Sequence, residues 1–400
     1  MREFYDTFLN AVGLAGLIPD WIWYTVITLI LALVVSLFAA FIPLVMVWAE
    51  RKVSADIQDR IGPNRVGRWG IAQTIADTIK LIMKENITPQ KADRFLHLFA
   101  PIFVFIGVFA PMAALPWAAG ITVADLDVGI LYIFSVASFT VIAIIMAGWA
   151  SNNKWSLLGG IRSAAQIISY EIPNSLAVLT ALVFLGTLNM NQIVVEQSGG
   201  LWTWTIFRSP FTFIAFFLYL VSAFAEANRT PFDLPEAESE LVSGYHTEYT
   251  GMRWAMFMMS EYVELFVVTA VMVTVYLGGW ASPFPGEPLI GGLFWFLLKV
   301  GVFMYSAVWV RFTLPRLRVD QLMYTGWKVL IPFGFVTLIG ASIQSLMGPT
   351  VQIVMSGITW ILFAVFVWWV VKLVRATGHV PAMKRQMSST RTDAAVETAV

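Results

Sequence analysis

The chain has no cysteine and only three histidines, His97, His246 and His379, in 400 residues. The first absence removes disulfides, Fe–S clusters and thiolate metal sites together. The second leaves no pair spaced to hold a haem or a zinc ion. If the chain takes part in redox chemistry, the electron carriers lie on a partner. Charge is scarce as well: charged residues make up 12%, roughly half the usual share of about 25% in globular chains. Acids and bases number 25 each, so no net charge argues for a nucleic-acid partner. Period-two alternation, the sign of a transmembrane barrel, is missing. The N-terminus, MREFYDTFLN, lacks the basic region, short apolar core and small-residue cleavage site of a removable signal peptide.

What is present is apolar sequence in long blocks, 58% of the residues, with a mean hydropathy of +0.75. Blocks of about 20 residues cross a bilayer as helices. The pattern predicts an all-α polytopic integral membrane protein, one membrane domain over 1–376. Nine spans are expected: 22–48, 97–117, 130–150, 164–187, 211–227, 255–279, 291–314, 329–347 and 354–376. Trp21, Trp23, Tyr24 and Trp48 bracket the first span, as an interfacial aromatic belt would.

Nine spans make the connecting segments alternate sides. All the Lys and Arg except Arg2, Arg208 and Lys299 then collect on one side, in or beside 49–96, 151–163, 228–254, 315–328 and the tail 377–400. By the positive-inside rule that side is cytoplasmic, the N-terminus is outside and the C-terminus inside. A cell membrane with that side facing the cytoplasm is the expected location. The tail is polar and Ser/Thr-rich, a composition that predicts no fixed structure. Within 49–96, residues 69–86 read as an amphipathic helix. Gln73, Asp77, Lys80 and Lys84 share one face, and Ile71, Ile75, Ile79 and Ile82 another. Such a helix lies in the headgroup layer or packs on a neighbouring subunit.

The acids are unevenly placed. Residues 226–264 hold Glu226, Asp233, Glu236, Glu238, Glu240, Glu248, Glu261 and Glu264 against Arg229 and Arg253. Glu171 stands deeper, in ISYEIPNS, two residues before Pro173, which cannot donate a backbone hydrogen bond. An ionised side chain at the bilayer centre costs at least ~3 kcal/mol, so such acids face an internal polar path or take up protons. Near the interface, at Glu226 and Glu261, a solvated carboxylate is cheap and a structural role stays open. Arg162, Gln166 and Tyr170 recur every four residues and share a face leading toward Glu171. Crowded carboxylates titrate as a coupled set and redistribute protons when a charge appears nearby. Lys299 lies near the outer end of its span, where a lysine can snorkel or serve a role.

Three strings then carry a resemblance: AERKVSADIQDRIGPNRVG, GWASNNKWSLLGGIRSAAQIISYEIP and EANRTPFDLPEAESELVSGYHTEY. In this order and topology they resemble the membrane-subunit family of respiratory complex I, the NADH:quinone oxidoreductase, over roughly residues 20–347. The resemblance implies a non-redox subunit of a proton-translocating enzyme, forming part of the quinone chamber. It implies quinone as substrate, with FMN and Fe–S clusters on partner subunits and no cofactor on this chain. The partners implied are peripheral-arm subunits carrying the terminal Fe–S cluster, antiporter-like and small membrane subunits, and lipid. It suggests Arg51, Gln58, Arg60 and Phe232 near the quinone, and places 69–86 beside the quinone opening. Glu171, Glu226, Glu261 and Arg162 match the family's proton path, and Asp233, Glu236, Glu238 and Glu240 its chamber loop. Ala237 and Tyr245–His246 depart from the Gly and Phe–Asn usual in mitochondrial relatives. A self-contained proton-coupled transporter or a passive scaffold remains as a rival, as does the equivalent subunit of a membrane-bound hydrogenase-type complex. The internal duplication common in transporters is not visible.

Overall fold

The chain is all-helical in a computed structural model that describes residues 20–233, 243–284 and 289–377, with no strand among them. Eight helices are long and apolar enough to cross a membrane, and the shorter apolar Pro210–Glu226 is added to them. Those elements are α1 (Asp20–Ile57), α3 (Arg94–Phe109), α4 (Gly129–Ala150), α5 (Lys154–Leu185), α7 (Pro210–Glu226), α8 (Gly251–Tyr276), α9 (Leu289–Thr313), α11 (Ile331–Leu346) and α12 (Pro349–Thr377). Three short helices lie between them: α2 (Gln73–Met83), α6 (Met190–Val195) and α10 (Val319–Tyr324). A helix lies over each expected span, with other ends. The first helix continues past Trp48 through the ERK segment to Ile57, and α5 begins at Lys154, so that Arg162 is helical. A π-helical turn, Thr325–Leu330, joins α10 to α11 in one continuous rod.

The central element is α8. Most of its apolar side chains are buried, and it packs against α1, α3, α5, α6, α7 and α9. By contrast, α1 exposes Leu29, Leu33, Leu37 and Phe41, a stripe at four-residue spacing that is more than half exposed throughout. Apolar outside and mixed inside is the arrangement of a bundle solvated by hydrocarbon. Helix α12 is held on the periphery largely by rings: Trp360 stacks on Phe207 at 4.0 Å between centroids, and Phe366 meets Phe217 at 5.1 Å.

Two intramembrane features differ from simple expectation. Pro173 does not interrupt α5, which runs on to Leu185. Lys299 does not snorkel to the surface. Its ammonium donates to the carbonyls of Leu277 (2.7 Å), Gly279 (3.0 Å) and Ala281 (2.8 Å), and lies 4.3 Å over the Trp204 ring. A cation there satisfies carbonyls left without helical partners where α8 ends. The amphipathic helix forms over Gln73–Met83 and turns Ile75, Ile79 and Ile82 outward, half or more exposed.

Close approach positions the site to be described. The 3-10 turn Gly244–His246 lies directly on α5, where Ser156 Oγ donates to the Tyr245 carbonyl at 2.9 Å. Glycine at 159 permits this, because a Cβ there would stand 2.7 Å from Gly244 Cα and 2.8 Å from Tyr245 N. Backbone cannot yield as a side-chain tip can. Gly159→Val should therefore destabilise the fold by about 2–3 kcal/mol, the scale of severe overpacking. A lowered thermal midpoint of the detergent-solubilised protein is the check.

Candidate functional site

The end of the bundle that carries the basic segments gathers the ionisable groups. Glu50, near the end of α1, is 9% exposed and is held from three sides. Arg311 of α9 reaches its Oε1 at 2.7 Å, Tyr262 Oη donates to Oε2 at 2.9 Å, and Arg229 NH1 stands 3.5 Å from Oε2. Arg229 follows α7 and is 5% exposed, with its guanidinium 4.2 Å over the Tyr262 ring. Burial works against its charge, but Tyr262, Glu50 and Glu261 outweigh burial and hold its proton more firmly than usual. Arg229 is thus shared electrostatically between an acid of α1 and an acid of α8.

The three acids singled out in the sequence each accept a hydrogen bond from a neutral donor on another element. Tyr245 Oη donates to Glu261 (3.2 Å), Asn174 Nδ2 to Glu226 (2.5 Å) and Ser138 Oγ to Glu171 (2.6 Å). Glu226 and Glu261 are buried, while Glu171 is half-buried against α4. Glu264, one turn beyond Glu261, makes no hydrogen bond to a described residue and lies within electrostatic reach of Glu226, Arg229 and Glu171. A neutral donor stabilises a carboxylate without cancelling its charge, so such acids remain sensitive to charges that appear nearby.

The i, i+4 face expected to lead to Glu171 leads elsewhere. Gln166 Nε2 donates to the Ala225 carbonyl, Asn228 Oδ1 and the Phe232 carbonyl, fastening the chain just after α7. Tyr170 Oη donates to the Leu322 carbonyl at 3.0 Å. Asn174, the next residue in the series, meets Glu226. One residue further round the helix than Tyr170, Glu171 faces Ser138 instead. The α5 face therefore serves Glu226, because about 100° per residue separates Glu171 from that row.

The residues suggested for quinone do not form one group. Arg51 is exposed and bonds Asp77 of α2 at 2.6 Å, joining the amphipathic helix to α1. Arg60 Nε donates to Gln58 Oε1 at 2.7 Å, in the exposed stretch after α1. Phe232 is instead buried, edge-on to Tyr170 at 5.4 Å. Asp233 is buried and receives Arg316 NH2 at 3.0 Å. Arg162 is half-buried on α5. Glu236, Glu238 and Glu240 lie outside the described residues, as does the tail beyond Thr377. Among the described residues no three His, Asp or Glu side chains converge as metal ligands would.

With this geometry in view, comparison with known proteins is specific. A family model described as NADH dehydrogenase matches residues 28–342. The chain belongs to the NADH dehydrogenase family. Relatives named as the H subunit of NADH-quinone oxidoreductase are similar over most of their length. The protein from Chlorobaculum tepidum is 46% identical over 337 residues, 80% of this chain and 93% of its own. That from Bacillus cytotoxicus is 49% identical over 291 residues, 72% of this chain and 85% of its own. That from Anaeromyxobacter dehalogenans is 46% identical over 333 residues, 78% and 81% respectively. This member of the NADH dehydrogenase family is a multi-pass membrane protein by its helices and its relatives. The family match ends before α12, which meets the bundle through its aromatic rings and through Ser356 Oγ, a donor to the Phe207 carbonyl at 3.0 Å.

Sequence reasoning missed Glu50, Tyr262, Asn174 and Tyr245. The signal available for Glu50 was an acid directly before Arg51 at the end of a span; for the others, only the fold supplies the partner. Glu50→Gln should leave Arg229 and Arg311 without their shared carboxylate and cost about 3 kcal/mol, the scale of breaking a buried ion pair. A thermal midpoint equal to that of the unsubstituted protein would contradict this. The Arg51–Asp77 link predicts an acid response. Burial acts to raise the Asp77 pKa, but the hydrogen bond and charge of Arg51, with Gln73 and Lys80, hold it below its ordinary 3.8. Docking of α2 should then persist above that value and weaken only as pH falls below it; Arg51→Gln should return the loss to the ordinary range. The pair is half-exposed and worth no more than ~1 kcal/mol. A fluorophore on Met83→Cys, the single cysteine of that variant, reports the undocking.

Proposed function

We propose that this chain is the membrane subunit of a proton-translocating NADH:quinone oxidoreductase, forming part of the quinone chamber and the start of its proton path. The observation that carries the reading is the continuous set Glu50–Tyr262–Arg229–Glu261, linking the end of α1 beside Arg51 to the acids of α8. The relatives' names supply the oxidoreductase, NADH and the quinone. In this reading the basic end is cytoplasmic, with the N-terminus outside and the C-terminus inside. Peripheral-arm subunits bring FMN and Fe–S clusters, and antiporter-like subunits complete the pump.

Quinone approaches from the bilayer past Arg51, Gln58, Arg60 and the isoleucine face of α2. Two electrons from a partner reduce its headgroup, which takes up two protons. The negative charge that precedes those protons acts on Arg229, the cation shared by Glu50 and Glu261. Any weakening of its hold on Glu261 shifts protons among Glu261, Glu264, Glu226 and Glu171, which lie between α4, α5, α7 and α8. Asn174, Tyr245 and Ser138 steady the carboxylates, and the two hydroxyls can do so in either protonation state because a hydroxyl donates or accepts. Asp233, Glu236, Glu238 and Glu240 belong to the chamber loop, with Phe232 at its start, edge-on to Tyr170, as the chamber's apolar quinone contact.

Glu171→Gln keeps an acceptor for Ser138 and removes only the titratable group. In the assembled complex it should leave NADH oxidation by an artificial acceptor intact while cutting quinone-linked proton pumping at least tenfold. Unchanged pumping and quinone reduction in that variant would sink the reading.

A further inference from the structure

At the turn between α4 and α5, two open cavities of about 390 and 410 Å3 adjoin and share Lys91, Asn152, Asn153 and Lys154. The first adds Ser151, Trp155 and Glu248 and is lined mostly by the connecting segments. The second adds Gly148, Trp149 and Leu157, from the adjoining ends of the two helices. We infer that this cleft binds the headgroup of an aminophospholipid of the phosphoethanolamine type.

The placement is that of a headgroup layer. Helix α4 ends at Ala150 and α5 starts at Lys154, so the cleft lies where apolar helix gives way to the basic segments. Trp149 and Trp155 flank it at 68% and 52% exposure, large aromatic surfaces that belong at a membrane interface. Below it, Ile145 and Ile142 of α4 and Leu158 and Ile161 of α5 are exposed and continue toward the middle of the bundle, a track for acyl chains.

The charges are ordered along the same direction. Lys91 and Lys154 form no ion pair with a described residue and stand at the centre of the cleft. The N-terminus of α5 adds its positive end there, and basic pockets at this level bind lipid phosphates. Asp93 also lines the inner cavity, but its Oδ1 is taken by the backbone N–H groups of Phe95 and Leu96. Glu248 lies on the outer side; Asn153 Nδ2 donates to its Oε1 at 2.7 Å, and its second oxygen accepts from no described residue. Along the cleft the helix side therefore presents apolar surface and the N-capping Asp93, the shared centre two ammonium groups, and the loop side the Glu248 carboxylate with one oxygen open to a ligand. Phosphatidylethanolamine presents acyl chains, phosphate and a primary ammonium in that order. A phosphatidylglycerol headgroup has no cation for Glu248, and choline has no N–H to donate to it.

The test uses the full chain in nanodiscs of equimolar phosphatidylethanolamine, phosphatidylglycerol and phosphatidylcholine with identical acyl chains. Native mass spectrometry of the released protein counts the lipids retained. Phosphatidylethanolamine should be retained over both others. Lys91→Gln and Lys154→Gln should each lower retention about fivefold, the equivalent of ~1 kcal/mol per basic residue at the headgroup layer. Glu248→Gln, which still offers an acceptor to Asn153, should keep phospholipid bound but erase the preference for phosphatidylethanolamine over phosphatidylglycerol. Lys84→Gln, a lysine outside the cleft, should change nothing. Equal retention of the three lipids, preference for phosphatidylglycerol in the unsubstituted chain, or a preference that survives all three cleft substitutions would each overturn the assignment.

Discussion

A guanidinium buried among apolar helices is tolerable only if carboxylates surround it, and Arg229 sets that requirement for the whole basic end of the bundle. The cost of an unpaired buried charge is several kcal/mol. It is met by Glu50 from α1 and by Glu261 from α8, with the Tyr262 ring beneath the cation. Those contacts oblige α1, α8 and the segment that follows α7 to meet at one place. Arg311 adds a fourth element, α9, through the same Glu50 carboxylate. The packing of these helices and the electrostatics of the site are one problem with one solution.

The acids deeper in the bundle are treated differently. Glu171 and Glu226 receive a hydroxyl and an amide, which leaves each carboxylate responsive to its neighbours, while Glu261 combines the Tyr245 hydroxyl with the field of Arg229. A direct salt bridge would hold such a group ionised across the working pH range. Neutral partners leave the deeper acids free to respond to nearby charge, and charged partners fix the cluster around Glu50 in position. At the opposite end, Lys299 caps the carbonyls where α8 stops.

The number and order of the apolar helices were legible because a helix that crosses a bilayer presents about 20 apolar residues to hydrocarbon, a constraint that acts on one helix at a time. The amphipathic helix was legible for the same local reason: Ile71, Ile75, Ile79 and Ile82 repeat on one face whatever packs against it. The attention drawn to Glu171 followed from the cost of charge in lipid, again a property of that residue alone, whereas Glu226 and Glu261, near the interface, were marked by the family resemblance. Helix ends were less legible. Polar strings such as ERKVSADI and KWSLLGGIR continue as helix beyond the apolar block, since water at the interface imposes no stop on the backbone ladder.

The sequence by itself thus determined that this protein lives in a membrane, where its charges crowd and which family it resembles. Only the tertiary structure decided which charge meets which. Glu50 and Tyr262 are separated by more than half of the chain, and the face of α5 that bears Gln166, Tyr170 and Asn174 proved to serve Glu226 rather than Glu171. Such pairings depend on the rotation and contact of helices distant in sequence, and helical periodicity constrains a face without naming its neighbour.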